Sequence, residues 1–482
     1  MSARVRWGAL VPAVLAGAYL AACRVGPNYH APALPPKAEA PMVSLNAAAE
    51  TTATPPDAWW RLYDDPRLDQ LVQEALKANF DLAAADANFS AARAALSAVH
   101  ANRYPSTGIV AGGVYGRDAV TDEILELQGQ RPQTIWLFED LFQVAYEVDL
   151  FGRVHRAIEV ANANADAVAA ARDDVRVVVA AETARAYAAV CALGEEIDVA
   201  HRSLDVVSHQ ADITTHQYEA GGNSQFDVQR AEALVAEVES SIPTLEGQRH
   251  AALFELTAVL GRTPAEAPRD VEACRRPPQL TALLPIGDGA ALIRRRPDVR
   301  QAERRLAAAT AQIGVATADL YPTIRLAGFY GGAAVQVSQL ATNIGETWGI
   351  GPSISWTFPN QAGPRARIRQ AKASQAAALA SFDSEVLTAL KETEQALALY
   401  TAALDHRRSL VQAQDQIQTS FDIAKNEFLA GGVSNLDVLT TEQSLVALNA
   451  SVASADAEII QDQIAVFKAL GGGWREDQTA AK

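Results

Sequence analysis

A chain of 482 residues with 41 Lys and Arg against 57 Asp and Glu carries a formal charge of −16. Phosphate polymers need a Lys/Arg surface, and no basic cluster interrupts this acidity, so nucleic acid is excluded as a partner. Hydrophobic residues make up 49% of the chain but aromatics only 6%, which suits closely packed, alanine-rich helices better than bulky globular cores.

The N-terminus reads as an export signal. Arg4 and Arg6 form a basic start, and Ala9 to Ala22 is apolar but too short to span a bilayer as a stable helix. It ends in Leu20-Ala21-Ala22-Cys23, which resembles the lipobox of bacterial lipoproteins, where cleavage precedes an acylated cysteine. The alternative is an ordinary signal peptide with a chance cysteine. Arg24 follows, not the aspartate that holds many such lipoproteins at the inner membrane, so the expected destination is the outer membrane. The expected division is a signal peptide over 1–22, a lipid-anchored extended tether over 23–58 rich in proline, and then the body. Export makes a disulfide between Cys191 and Cys274 chemically possible, but two unpaired small residues is the expectation.

Helical character begins after Asp64-Asp65-Pro66 and runs to about Asn102, then from about Arg153 to Tyr218 and from Phe226 to Leu260. A second set spans Pro297 to Asp319, Arg365 to Phe428 and Leu436 to Leu470. The tracts 153–218 and 365–428 contain no proline, and at the helical rise each is about 100 Å long. Such lengths imply coiled-coil packing or a helical tube. Both tracts end at Ala-Gly-Gly (Gly221-Gly222 and Gly431-Gly432), where glycine accepts the left-handed conformation that closes a helix. Each half therefore holds a long helical hairpin with a Gly-Gly tip.

Four segments break this pattern. From Trp136 to Leu150 the even positions read Trp, Phe, Asp, Phe, Val, Tyr, Val, Leu, while the odd ones include Glu139, Gln143, Glu147 and Asp149. From Trp348 to Phe358 apolar even positions again face Gly, Ser and Thr. Period two with aromatics near the ends points to membrane β-strands near 136–150 and 347–358, with Gly-rich partners near 106–116 and 322–332. Four strands cannot close a barrel, and open edges are not tolerated in hydrocarbon. Each copy must therefore share a barrel with others. Two copies give eight strands with a filled interior, and three give twelve with room for a channel.

The halves are also related to each other. Residues 161–261 repeat as 371–471 at a constant offset of 210, with Asp173/Asp383, Glu182/Glu392, Thr183/Thr393 and Glu232/Glu442 among the matches. A weaker echo at offset 217 sets Tyr104-Pro105 against Tyr321-Pro322. The body is accordingly read as one repeat over 59–275, a second over 276–475, and a tail over 476–482.

No P-loop, HExxH, CxxC or GxSxG pattern occurs, and the chain is not expected to be an enzyme or to carry a cofactor beyond the lipid on Cys23. His201, His209 and His216 lie about two helical turns apart. Without Cys or carboxylate ligand spacing they read as solvated positions and not as a metal path. Trp59-Trp60 reads as an anchor of the tether on the body.

These residues together resemble a TolC-type outer-membrane factor, in the NodT-like lipoprotein branch that serves resistance–nodulation–division efflux systems. The resemblance covers nearly the whole mature chain. It rests on Cys23-Arg24-Val25-Gly26-Pro27-Asn28-Tyr29, Trp59-Trp60-Arg61-Leu62-Tyr63-Asp64-Asp65-Pro66, Asp149-Leu150-Phe151-Gly152-Arg153, Arg296-Pro297-Asp298-Val299, Tyr321-Pro322 and the two Gly-Gly-x-Ser-x-x-Asp-Val tips. It implies a mainly α chain with membrane β, forming as a homotrimer a twelve-stranded outer-membrane barrel and a long periplasmic helical barrel. It also implies a periplasmic adaptor and an inner-membrane pump as partners, alongside outer-membrane lipid. In relatives the periplasmic tip is held shut by aspartates and by a Tyr–Arg latch. Asp227 and Asp437 occupy the aspartate positions, while Phe428 and Val433 stand at the latch positions, so closure would rest on packing or other contacts. Phe358-Pro359-Asn360-Gln361-Ala362-Gly363 departs from the usual glycine-rich strand exit. The alternatives are an exit duct of a type I protein secretion system and a non-conducting structural surface lipoprotein.

Overall fold

The computed structural model describes residues 24–44, 49–117, 119–127, 129–280, 282–287 and 289–472. Cys23, the expected signal peptide 1–22 and the expected tail 476–482 lie outside the described residues. In chain order the helices are α1 (Pro66–Ala78), α2 (Phe80–Ala101), α3 (Ala119–Leu127), α4 (Arg153–Glu219), α5 (Gln225–Val259), α6 (Gly289–Arg295), α7 (Pro297–Ala318), α8 (Ala362–Leu429) and α9 (Asn435–Ala469). The longer strands are β1 (Ser106–Gly116), β2 (Ile135–Val148), β3 (Thr323–Ala334) and β4 (Glu346–Ser355).

The chain forms two compact units, and they do not follow the sequence halves: each draws segments from both. Among the described residues the first comprises 24–32, 90–167 and 302–381. Its sheet runs β1-β2-β3-β4, every neighbouring pair antiparallel. Phe142 pairs with Ile109 on one side and Tyr330 on the other, and Tyr330 with Trp348. This register gathers Ile109, Tyr115, Trp136, Phe142, Tyr330, Trp348, Ile350 and Ile354 on one face, because side chains alternate along a strand. The opposite face is mixed: Glu139, Gln143, Glu147, Arg325 and Ser353 lie there among glycines together with Val110, Val114, Leu137, Leu141 and Phe329, and Arg325 and Glu147 pair at 3.7 Å. The segment expected as an extended tether is held down from its start. Val25 N donates to Phe151 O, and the Arg156 guanidinium donates to Val25 O, Gly26 O and Asn28 Oδ1. Gly26 has φ +87°, and a Cβ there would lie 2.5 Å from the Gly314 Cα, so this close passage needs glycine at position 26.

The second unit comprises, among the described residues, 33–89, 168–301 and 382–472. Its core packs small residues of α4 (Ala180, Ala184, Ala188) with Leu68, Leu71, Leu256, Leu397 and Phe467. Trp59 is fully buried and stacks on Phe467 with centroids 4.7 Å apart. Tyr63 donates to Gln463, which in turn donates to the Tyr400 hydroxyl. Burying these aromatic faces supplies the anchoring expected of Trp59-Trp60. Glu50–Thr51 adds a short parallel pairing with Leu284–Pro285.

Three expectations are corrected here. The first helical tract is two helices: Asn79 breaks it by accepting from Leu82 N at 3.0 Å and donating to Val259 O at 3.0 Å, a cap and a tertiary bond at once. The helix α3 between β1 and β2 was not expected. Finally, Cys191 and Cys274 are disulfide-bonded, with Cα atoms 4.8 Å apart, a distance that spacing along the chain could not supply.

Candidate functional site

Three features bear on function: the sheet, the two hairpin tips and the buried charges behind them. The sheet is unusual in what it leaves uncovered. Ile109, Tyr115, Trp136, Phe142, Tyr330, Trp348, Ile350 and Ile354 are all exposed, yet the register gathers them on one face. Contiguous apolar surface of this extent marks a contact with lipid or another chain. Aromatic rings cluster at both ends of the strands. Tyr115, Trp136 and Phe138 lie together near one end, and Trp356 stacks on Phe358 at the other. That is the placement of interfacial aromatic girdles. Asp140 falls on the apolar face, opposite Gly332. The edge strands β1 and β4 have no outer partner among the described residues.

At the first tip, Gly221 has φ +83°, and Gly222 N donates back to Gln217 O at 2.7 Å. At the second, Gly431 has φ +79°, and Gly432 N donates to Glu427 O at 2.8 Å. These bonds satisfy the last carbonyls of α4 and α8, and the left-handed residue makes them possible. Serine then restarts each chain as a helix. Ser224 and Asp227 form a reciprocal capping box, as do Ser434 and Asp437. Asp227 Oδ2 accepts from the Ser224 hydroxyl at 2.7 Å, and Asp437 Oδ2 from the Ser434 hydroxyl at 2.6 Å. Those serine bonds hold the Asp437 carboxyl below its ordinary value. Each aspartate is thus tied within its own turn.

The latch positions are apolar in structure as in sequence. Phe428 packs on a cluster of Phe421, Ala424, Val438 and Leu445, while Val433 is half-buried in the turn. At the first tip, Phe226 is exposed beneath the Arg230 guanidinium. Asn435, which sequence reasoning did not single out, is buried and donates to Thr214 Oγ1 at 3.4 Å, tying α9 to α4. His201, His209 and His216 are exposed, and no group of His, Cys, Asp and Glu among the described residues could hold a metal ion.

Deeper in the helical unit, Arg296 is 7% exposed. It is shared by Asp298, Glu392 at 2.8 Å and the Ala469 carbonyl at 2.7 Å. Its pKa is raised by Asp298 and Glu392 against the cost of burial, so it remains charged. Nearby, burial and Asp298 push the carboxyls of Asp174 and Glu385 up. The repeat match Glu182/Glu392 and the Arg296-Pro297-Asp298 motif were the sequence signal for this network.

Comparison with known proteins follows the same features. A sequence model described as outer membrane efflux protein matches residues 71–262 and 290–472. The chain is 28% identical over 462 residues to nodulation protein T of Rhizobium leguminosarum bv. viciae, covering 96% of this chain and 93% of that protein. It is 28% identical over 449 residues to the pyoverdine export outer membrane protein OpmQ of Pseudomonas aeruginosa, covering 90% of each. Among solved structures, the outer-membrane channel OprN superposes with a TM-score of 0.84 at 34% identity, covering 94% of this chain and 100% of that one.

Proposed function

The chain belongs to the outer membrane efflux protein family, whose members are outer-membrane channels of efflux pumps, and we propose that three copies assemble into one conduit. The observation that carries this is the sheet: four strands with an exposed apolar face and two edges unpaired among the described residues. Hydrocarbon does not tolerate such edges, so neighbouring copies must pair β1 with β4 around a closed ring. Three copies give twelve strands, wide enough for a channel. The two helical hairpins of each copy, α4 with α5 and α8 with α9, then build a twelve-helix wall in the periplasm. Native mass spectrometry in detergent should show a trimer. A stable, folded monomer at working concentration overturns the reading.

The same reading gives the conduit a periplasmic adaptor and an inner-membrane pump of the resistance–nodulation–division class. Asp227 and Asp437 form the acidic constriction at the periplasmic end, since threefold assembly brings six carboxylates toward one axis, where a ring of like charge admits cations and obstructs anions. The apolar residues Phe428 and Val433 stand where a hydrogen-bonded latch would be, and packing at the Phe421–Leu445 cluster supports closure there. Cys23 carries the lipid anchor, a proposal motivated by the Leu-Ala-Ala-Cys junction. Intact-mass analysis should find cleavage before Cys23 and added acyl mass; a mature terminus elsewhere without that mass removes the anchor.

A further inference from the structure

Glu442 stands in α9, five residues beyond Asp437, on a face where no charge is expected. Val438 and Leu445, one turn before and after it, are buried against Phe421 and Ala424 of α8. Residues at that helical spacing share a face. Glu442 is itself 1% exposed, and neither carboxylate oxygen has a hydrogen-bond partner. It lines a cavity of about 420 Å³ between α4, α8 and α9, together with Ser203, Gln418 and Asn449.

An ionised carboxylate taken out of water without a partner is costly, and such a group neutralises itself by binding a proton. Burial pushes the Glu442 carboxyl up to about 7, with Lys425 pulling weakly the other way. The surrounding charges are accounted for. On α4, Glu195 and Arg202 line the same cavity; on α8, Lys425 is the charge felt by Glu442; on α9, Asp456 lies at the far end and is paired with Arg407 of α8. The oxygens of Glu442 present almost no surface, so a metal ion or ammonium group does not reach them in this packing, whereas a proton does. Glu232, the residue at the matching repeat position, is exposed on α5. The two halves therefore differ at this point.

We propose that Glu442 is a proton-binding site that couples the packing of the α8–α9 hairpin near its tip to pH: protonated, it sits within the closed helix pair, and ionised, it loosens that pair. The sign follows from linkage. The folded carboxyl binds its proton more tightly than an exposed one, so the closed packing is fully favoured below the ordinary glutamate value. It weakens as pH rises from that value to the folded one and is weakest above it. This inference goes beyond the channel reading, and its readout does not require conduction.

Hydrogen exchange of the full-length chain in detergent, corrected for intrinsic rates, tests it at pH 5.5 and pH 8. Peptides covering about 417–446 should open about tenfold or more at the higher pH, since each unit of pKa shift is a tenfold bias. Peptides at the α4–α5 tip, where Glu232 is exposed, should show no such difference. Glu442→Gln, a neutral isostere, should keep the high protection at both pH values. Lys425→Ala, which removes the opposing attraction, should move the transition upward. Glu195→Gln should leave it in place, although the Glu195 carboxyl is also raised by burial and Asp456. The proposal is overturned if the parent shows no pH difference, or if the difference survives Glu442→Gln or disappears with Glu195→Gln. It is equally overturned if Glu442→Gln lowers protection at both pH values, which would mean that a neighbouring copy supplies a cationic partner to the carboxylate.

Discussion

Ser434 and Asp437 clasp each other across the first turn of α9. One carboxylate oxygen, Asp437 Oδ2, accepts the Ser434 N–H at 3.0 Å and its hydroxyl at 2.6 Å. A gate role and a cap role would share this one carboxylate, so substitutions must separate its charge from its hydrogen bonds. Asp227→Asn with Asp437→Asn keeps acceptors for the capping box and removes the charge. In planar bilayers this pair should reduce cation preference and block by divalent ions, as should the double alanine variant. If the asparagine pair matches the parent in both, the aspartates are caps and the constriction lies elsewhere. The lowered Asp437 value also fixes the pH sense. The carboxylate's contribution is present above the ordinary aspartate value and is lost as pH falls through the lowered folded value. Selectivity arising from Asp437 should therefore persist at pH 5.

Arg296 is the buried cation on which several carboxylates depend. Arg296→Met should lower stability by about 3–5 kcal/mol, because it removes the buried guanidinium shared by Asp298, Glu392 and the Ala469 carbonyl. The shift in guanidinium midpoint measures this, with exposed Arg294→Met as the comparison. Equal midpoints for the two variants would show that the network contributes nothing net.

The Cys191–Cys274 bond closes a loop with a sequence separation of 83. Loop-closure entropy sets its contribution at about 4–5 kcal/mol or less. Cys191→Ser should lower the unfolding midpoint, and the parent should migrate differently with and without reductant. Unchanged migration would show that the bond does not form in the exported protein.

The two faces of the sheet should respond oppositely to charge. Ile350→Arg, on the apolar face, should cost about 2–4 kcal/mol and reduce assembly into membranes. Ser353→Arg, one strand face over, should be tolerated. Heat-modifiable mobility on gels reads both. Equal tolerance of the two arginines means that this face does not meet lipid.

Much of this architecture is written locally. The Gly-Gly turns are legible because few other residues hold a left-handed backbone at a helix end, and both helices stop within a residue or two of the expected place. The strands are legible because Trp348, Ile350 and Ile354 alternate with polar or small residues, and because aromatic Trp136, Phe138 and Phe142 recur at even positions while Glu139, Gln143 and Glu147 fall at odd ones. What stays hidden is decided by tertiary contact. Asn79 looks like any polar residue in a helical tract until the Val259 carbonyl meets its amide. Cys191 and Cys274 give no hint of proximity, since nothing local says where the second strand of chain returns. Glu232 and Glu442 are the same residue at the same repeat position, and only the packing of α8 buries one of them. The candidate site was thus readable in its tips and sheet, and unreadable in the acid behind the second tip.

The long helices are 67 and 68 residues, and the returning helices are 35 and 35. Inserting one residue in α8 would rotate every position beyond it by about 100°. Val438 and Leu445 would then meet the wrong neighbours, and the second turn would end out of step with the first. Length changes are therefore coupled: a change in one hairpin is silent only when its return helix, and the other hairpin, change with it. Single insertions and deletions in either long helix should be purged in lineages that freely exchange side chains on the same surfaces. Paired changes of whole turns, made in both halves, are the route by which such a chain can grow or shrink.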